Sequence, residues 1–388
     1  MKHFLPFIAL LVLLPGWTGA IQITDYLDPE SIYEEAFILG QFNSKSGNQD
    51  QSSYDLALKA DYEKNYSTLP RSWRFLADGS TDISRGSNPA VERQERTFAN
   101  AHANIDSYFL DNHSLFWFGS GDVGYQDNAD NELIKFGIGI GYGRVINATP
   151  LARFLRVEDE LREHGVVLGK ISDPAYLDMA RIIAREDEFR SRYGADEYKS
   201  YWFEAVEEQL QTAVVLRTDQ LGALGALEMN RVLSDEVIKI RKHGWLLRAG
   251  LGLIVQDFQG NHNDPSIDLV WEYARPQGSK GQYINTMSYS KIIANESGTI
   301  LRNDMSYTWE ISDLIDWENR WNLIIDKTNS SNEKTTTHKL SSSFNYYITN
   351  RISADATISA INTEDNINDN GNDETDIVTF MGVRYRLK

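Results

Sequence analysis

The sequence predicts an all-β transmembrane antiparallel barrel of about fourteen strands, interrupted by an α-helical insert on its periplasmic side. Three observations predict it. Alternations of one apolar with one polar residue recur along most of the chain, the period-2 signature of strands with two different faces. Charged residues sit in the middle of those alternations, and aromatic residues gather towards their ends.

The chain begins with Lys2 and His3, an apolar run over 4–14, and the small residues Thr18-Gly19-Ala20. This is the pattern of a secretory signal peptide over 1–20, and its apolar part is too short for a membrane-anchoring helix. No cysteine occurs anywhere, so an exported chain uses no disulfide, no lipoprotein attachment and no Cys/His metal cluster. Lys and Arg number 38 against 56 Asp and Glu, a net charge of −18. Removing 1–20 takes away Lys2 alone and leaves 37 minus 56, or −19. That acidity argues against nucleic acid or anionic headgroups as partners.

Strands are expected near 32–43, 53–64, 71–79, 95–109, 114–126, 131–145, 244–257, 266–275, 281–292, 299–312, 315–327, 337–349, 351–362 and 376–388. In the second, Tyr54, Leu56, Leu58, Ala60 and Tyr62 face one way and Asp55, Lys59, Asp61 and Glu63 the other. The fourth sets Ala99, Ala101, Ala103 and Ile105 against Asn100, His102, Asn104 and Asp106. The sixth carries Ile134, Phe136, Ile138, Ile140 and Tyr142 on one face and Lys135, Gly137, Gly139, Gly141 and Gly143 on the other. Fourteen is even, as single-chain bacterial barrels require; without the first and third strands the count is twelve.

A soluble sandwich shows the same alternation, but many of these segments exceed ordinary sandwich strands and are long enough to cross a bilayer at a tilt. Tyr54 and Tyr62 share a face and lie roughly 26 Å apart along the strand, or about 20 Å after a tilt of about 40°, close to the apolar height of a barrel. With both termini periplasmic, the longer polar connections 80–94, 328–336 and 363–375 become extracellular, and the short turns 110–113, 313–314 and Asn350 periplasmic. The outward aromatics Tyr62, Trp73, Phe109, Tyr142, Trp245, Tyr273, Tyr283, Trp309, Trp317, Tyr346 and Tyr385 then fall at the periplasmic ends.

The last strand, with Ile377, Thr379, Met381, Val383, Tyr385 and Leu387 on one face, resembles the closing strand of Gram-negative outer-membrane β-barrel proteins, although it ends in Lys388 and not in an aromatic. The resemblance covers strand pattern, signal peptide and terminus, and reaches no narrower family. It implies an outer-membrane location, outer-membrane lipid as surroundings and a porin-like class.

Domain boundaries follow: 1–20 signal peptide, 21–147 the first six strands, 148–243 a helical insert and 244–388 the remaining strands. In the insert, Thr149-Pro150 starts one helix, which Gly165 ends, and Ser172-Asp173-Pro174 starts a second, which Gly194 ends. A third carries Tyr198, Tyr201 and Trp202, and a fourth covers roughly 221–233. Residues 148–243 form either a periplasmic bundle or a partial plug, and Gly137, Gly139, Gly141 and Gly143 leave room on the inner wall for packing against it; easing strand curvature is their plainer role.

Inward-facing charges are Lys59, Asp61, Lys135, Arg248, Asp268, Glu272, Arg302, Asp304, Glu310, Asp316, Glu318, Arg320, Arg384 and Arg386. They either pair and lock the interior or line a watery passage. No Ser/His/acid set falls on neighbouring strands at one height, which argues against nucleophilic catalysis. The glycine run of strand six lacks the spacing of a nucleotide loop. The acidic loop 363–376 has Asn366, Asn368, Asn370 and Gly371 in a calcium-loop-like order, but Ile377 stands where a bidentate acid is needed. No catalytic, metal or cofactor site is expected. The function expected is a porin-like channel for small polar solutes or ions, gated by the insert; the alternatives are a closed scaffold or export component whose insert docks a periplasmic protein, and an outer-membrane hydrolase.

Overall fold

The structure, a computed structural model, describes residues 21–45, 51–90, 92–109, 114–127, 129–293, 298–328, 333–365 and 374–387. The expected signal peptide, His113, the calcium-like positions 366–371 and Lys388 lie outside them.

Fourteen strands form one closed antiparallel barrel, each paired with its neighbours in sequence. They are β1 Ser31–Lys45, β2 Ser53–Ser67, β3 Arg71–Arg85, β4 Gln94–Tyr108, β5 Leu115–Gln126, β6 Leu133–Asn147 and β7 Lys242–Gln256. Then follow β8 His262–Gln277, β9 Gly281–Ile292, β10 Gly298–Ser312, β11 Ile315–Thr328, β12 Glu333–Tyr347, β13 Ile352–Glu364 and β14 Asp376–Arg386. The alternative of twelve is excluded, since β1 and β3 are 15 residues each. β1 pairs with β2 along its whole length, from Ser31 opposite Ser67 to Lys45 opposite Ser53. Its ladder to β14, which closes the ring, runs only from Phe37 opposite Arg386 to Gly40 opposite Val383.

Ile21 and Leu387, the first and last described residues, the turns 68–70, 278–280, 313–314 and 348–351, and the insert all lie at one end of the barrel, here the near end. The outer face is apolar and bare. On β6, Phe136, Ile138, Ile140 and Tyr142 are exposed by 56%, 65%, 61% and 52%. Such a surface is stable only in lipid, where strands must also leave no open edge. Aromatic pairs mark its near border: Tyr66 with Trp73, Tyr142 with Trp245, Tyr273 with Tyr283, and Trp317 with Phe344. This is the girdle of a membrane barrel, where ring bodies sit in lipid and polar tips in water.

Between β6 and β7 come α1 Thr149–Glu163, α2 Asp173–Ala184, α3 Glu186–Thr212 and α4 Gly222–Asn230, then a π turn Arg231–Asp235. Their shared core contains Phe154, Leu161, Met179, Ile183, Trp202, Val206 and Met229. The second helix differs from the sequence expectation by stopping at Ala184. Arg185 leaves helical geometry, and its guanidinium holds Glu188 at 2.6 Å while Glu186, Asp187 and Glu188 begin α3, where negative charge favours a helix start. Gly194, at φ 81°, sits at a kink inside α3.

Candidate functional site: the near end of the lumen

Inward side chains change character along the barrel. Lys59, Asp61, Arg302, Arg320 and Lys339, away from the near end, are exposed although they face inward, so the lumen there holds water. At the near end Asp106, Glu310, Asp316, Asn345 and Asp355 are each less than 5% exposed. Among the described residues, then, the inward side chains are packed at the near end and more exposed towards the far end.

Two clusters fill the near end. In the first, charges meet across the lumen. Arg248 on β7 donates Nε to Asp106 Oδ1 of β4 at 3.0 Å and Nη2 to Oδ2 at 2.7 Å, and Nη1 to Glu272 of β8 at 2.5 Å. Arg74 on β3 lies 2.9 Å from Glu63 of β2 and 3.9 Å from Glu272. Lys242 of β7 stands 3.6 Å from Glu63 and 5.7 Å from the centre of the Tyr33 ring of β1. Strands β1–β4 are thus joined to β7–β8 over the top of β5 and β6. The inner faces of those two strands permit it. Phe116 and Phe118 of β5 lie on the glycines of β6; a methyl placed on Gly141 would meet Phe116 at 2.2 Å, and one on Gly139 would meet Phe118 at 2.6 Å. The room left by Gly139 and Gly141 is thus taken by neighbouring wall rings, and at Gly137 the nearest atom is Ser120 Oγ, at Gly143 the carbonyl oxygen of Trp245.

In the second cluster Tyr347 donates to Asp316 at 2.6 Å, Arg384 lies 2.8 Å from Asp355, and Arg386 donates to Glu35 at 3.1 Å. Into this side runs the segment 236–241, which links the π turn to β7. Val237 and Lys239 line a void shared with Phe37, Tyr347 and Arg384, while Ile238 and Ile240 line a cavity on the insert's side. The segment forms a strap across the near mouth.

Arg241 anchors the strap. Its side chain is wholly buried and donates to the carbonyls of Ser279 at 3.0 Å, Lys280 at 3.1 Å and Lys239 at 3.0 Å, and to Glu310 at 3.2 Å. Such a charge is tolerated in the interior only with this many acceptors around it. Arg156 of α1 contacts Glu310 as well, and reaches Asp313 at 2.7 Å and Glu236 at 3.3 Å. Asn350, in the turn before β13, donates to the carbonyl of Ser234 at 3.1 Å. The N-terminal segment is a further tether: Ile21, Ile23 and Tyr26 pack on Leu151, Ala152 and Ala180, and His243 Nε2 donates to the Tyr26 carbonyl at 2.7 Å.

Inside the insert, Tyr198 and Trp202 are core, and Trp202 Nε1 donates to the Ile182 carbonyl at 2.9 Å. Tyr201 is 40% exposed and stacks on Tyr193. Burial and the Glu158 carboxylate push the Tyr176 hydroxyl well above the usual tyrosine range, and burial raises Glu236 despite its two arginines. Among the described residues, two groups of acidic or histidine side chains have metal-like spacing, Glu160 with His164 and Glu228, and Glu160 with Glu236 and Asp313. Arg231 lies 2.5 Å from Glu160 and 2.8 Å from Glu228, and Arg156 holds the other group, so arginines already neutralise both.

Of the inward charges expected from sequence, the structure brings Arg248 with Glu272, Lys135 with Asp268 at 2.6 Å, Glu318 with Arg320 at 2.9 Å, and Arg384 with Asp355. Glu310 and Asp316 lie buried near the strap, Asp304 accepts from Asn322, and Lys59, Asp61 and Arg302 line the open part. His102 meets Asp122 at 2.6 Å in the same open part. Sequence reasoning set Glu63 and Asp106 on the polar faces of their strands without singling them out among the inward charges, and it missed Arg74, which strand parity also turns inward. It also missed Tyr33, Glu35, Lys242 and the strap residues Lys239 and Arg241, which no periodicity marks.

A closed fourteen-stranded barrel with a bare apolar belt, aromatic girdle and charged interior defines an outer-membrane β-barrel of Gram-negative type. Solved structures of outer-membrane proteins resemble it. CdiB from Escherichia coli matches 91% of this chain at 7% identity and a TM-score of 0.38, and the chain spans 63% of CdiB. An outer-membrane channel from Pseudomonas putida F1 matches 95% of this chain and 99% of its own at 6% identity, TM-score 0.34. An anion-selective porin from Comamonas acidovorans matches 92% of this chain and all of its own at 7% identity, TM-score 0.35. No protein-family model and no curated protein sequence matches.

Proposed function

We propose that this protein is a channel for small polar solutes whose near end faces the periplasm and is held closed by the insert 148–243. The observation that carries the reading is a gradient among the described residues: Lys59, Asp61, Arg302 and Arg320 are exposed inside the barrel, while the fully buried acids Asp106, Glu310, Asp316 and Asp355 gather at the near end, where the strap and the cross-lumen ion pairs meet. A barrel built only as a scaffold has no need of a wet, charged interior, since fewer strands fill their own lumen with side chains. Arg241 and Lys242 join the two parts of the closure, because they end the insert and enter the ion-pair cluster. The periplasmic assignment rests on the short turns, together with Ile21 and Leu387, lying at the near end.

A second reading, in which the insert docks a periplasmic protein, is favoured by Leu224 and Leu227 of α4, exposed by 47% and 62%. The two readings part in planar bilayers. The insert begins and ends side by side, with Ala148 donating to the Arg241 carbonyl at 2.7 Å, so 148–241 can be replaced by a tight turn. The channel reading expects steady conductance from that variant, larger than from the intact protein. Silence from both would sink it.

A further inference from the structure

The closure is not equally tight around the mouth. Arg241 and Arg156 tie the insert to the turns 278–280 and 313–314, and the first cluster fills the side of β1–β8. Beneath the short β1–β14 seam there is instead a cavity of about 620 Å³ between insert and barrel rim. Arg153, Glu186 and Arg190 line it from the insert, and Glu35, Arg351 and Arg386 from the barrel. Glu35, Arg351 and Arg386 also line the small void of about 20 Å³ on the lumen side of the strap. The two voids share part of their lining, and in that shared wall Glu35 pairs with Arg386 at 3.1 Å and accepts from the Tyr33 hydroxyl at 2.5 Å.

We infer that solute passes sideways between lumen and periplasm, through this cavity under β1 and β14, with the Glu35–Arg386 pair as its gate and the insert remaining docked. The inference rests on the channel reading and gives it a route. A volume of this size holds about twenty waters at ~30 Å³ each, enough for a hydrated ion or a small zwitterion. Guanidinium and carboxylate groups stand on facing walls, so a solute of either sign finds a partner in place of lost hydration. Moving the Glu35 carboxylate away from Arg386 and Tyr33, together with a strap side chain, disturbs less than releasing Arg241 from its three carbonyls and Glu310 and Arg156 from its three acids.

The chain has no cysteine, so single-cysteine labelling reads one site at a time. The starting protein is full-length Glu35→Gln, to which Arg351→Cys, in the cavity wall, or Leu314→Cys, on the β10–β11 turn away from it, is added. A bulky, membrane-impermeant methanethiosulfonate is applied from the periplasmic side of a planar bilayer. Glu35→Gln should conduct more than the unaltered protein, and labelling should lower conductance by about half or more at Arg351→Cys and leave Leu314→Cys unchanged. Equal responses at the two sites, or none at Arg351→Cys, overturn the lateral route. A silent Glu35→Gln beside a conducting insert-deleted barrel also overturns it and makes the closure axial. If every variant including the insert-deleted barrel is silent, the channel reading falls and the route falls with it.

Discussion

Glu236 sits where two arginines, Arg156 and Arg231, reach one carboxylate, and still holds its proton more tightly than an ordinary glutamate. Burial outweighs both guanidiniums, and Asp313 and Glu160 add to it. A raised carboxyl has a definite sign of linkage: the folded state keeps a proton that the unfolded chain has already lost. The stabilisation is complete below the ordinary value of 4.5 and is lost as pH rises through the folded value. The insert should therefore melt at a higher temperature at about pH 5 than at about pH 8, and Glu236→Gln should narrow the difference. Near-UV circular dichroism of the insert's aromatic core reads it; an unchanged difference in the variant would remove Glu236 from the account.

Among elements, β6 is the one whose glycines have a use that alternation alone could not disclose. Gly141→Ala forces the Phe116 ring, wholly buried, off the strand and away from Arg248, whose guanidinium lies 5.8 Å from the ring centre. Overpacking of this kind costs about 1–3 kcal/mol. Gly119 faces lipid with its nearest neighbour at 3.7 Å, so Gly119→Ala should stay within about 0.5 kcal/mol of the parent. Urea unfolding of the two variants in lipid, followed by tryptophan fluorescence, makes the comparison. The strands themselves were legible because period 2, charge parity and girdle aromatics all act along one segment. The Arg185 break was not, since nothing in the apolar stripe of α2 and α3 changes there. Nor was the strap, whose alternation of Val237 and Lys239 with Ile238 and Ile240 is too short to tell from a loop and depends on partners such as Tyr347 and Ser279 remote in sequence.

At the scale of the whole molecule, the barrel and the insert have separate interiors. The barrel is held by ladders and a lipid-facing belt, and the insert by its own core around Trp202. Removing that ring should cost the insert about 3–5 kcal/mol and leave the barrel intact. In Trp202→Ala, protease should cut within 148–241 while the barrel keeps its compact, heat-modifiable migration on electrophoresis. Loss of that migration would mean that the two parts fold as one unit.

The entry and exit of the insert have a consequence for inheritance. β6 and β7 are ladder partners from Asn147 opposite Lys242 outward, as consecutive strands of any hairpin would be. A gene segment encoding the helices could have entered at that hairpin tip without shifting the register of a single strand, and could leave in the same way. Ancestors and cousins of this chain are then to be sought among plain barrels with a tight turn in that place, and the six strands before it should align with them as well as the eight after.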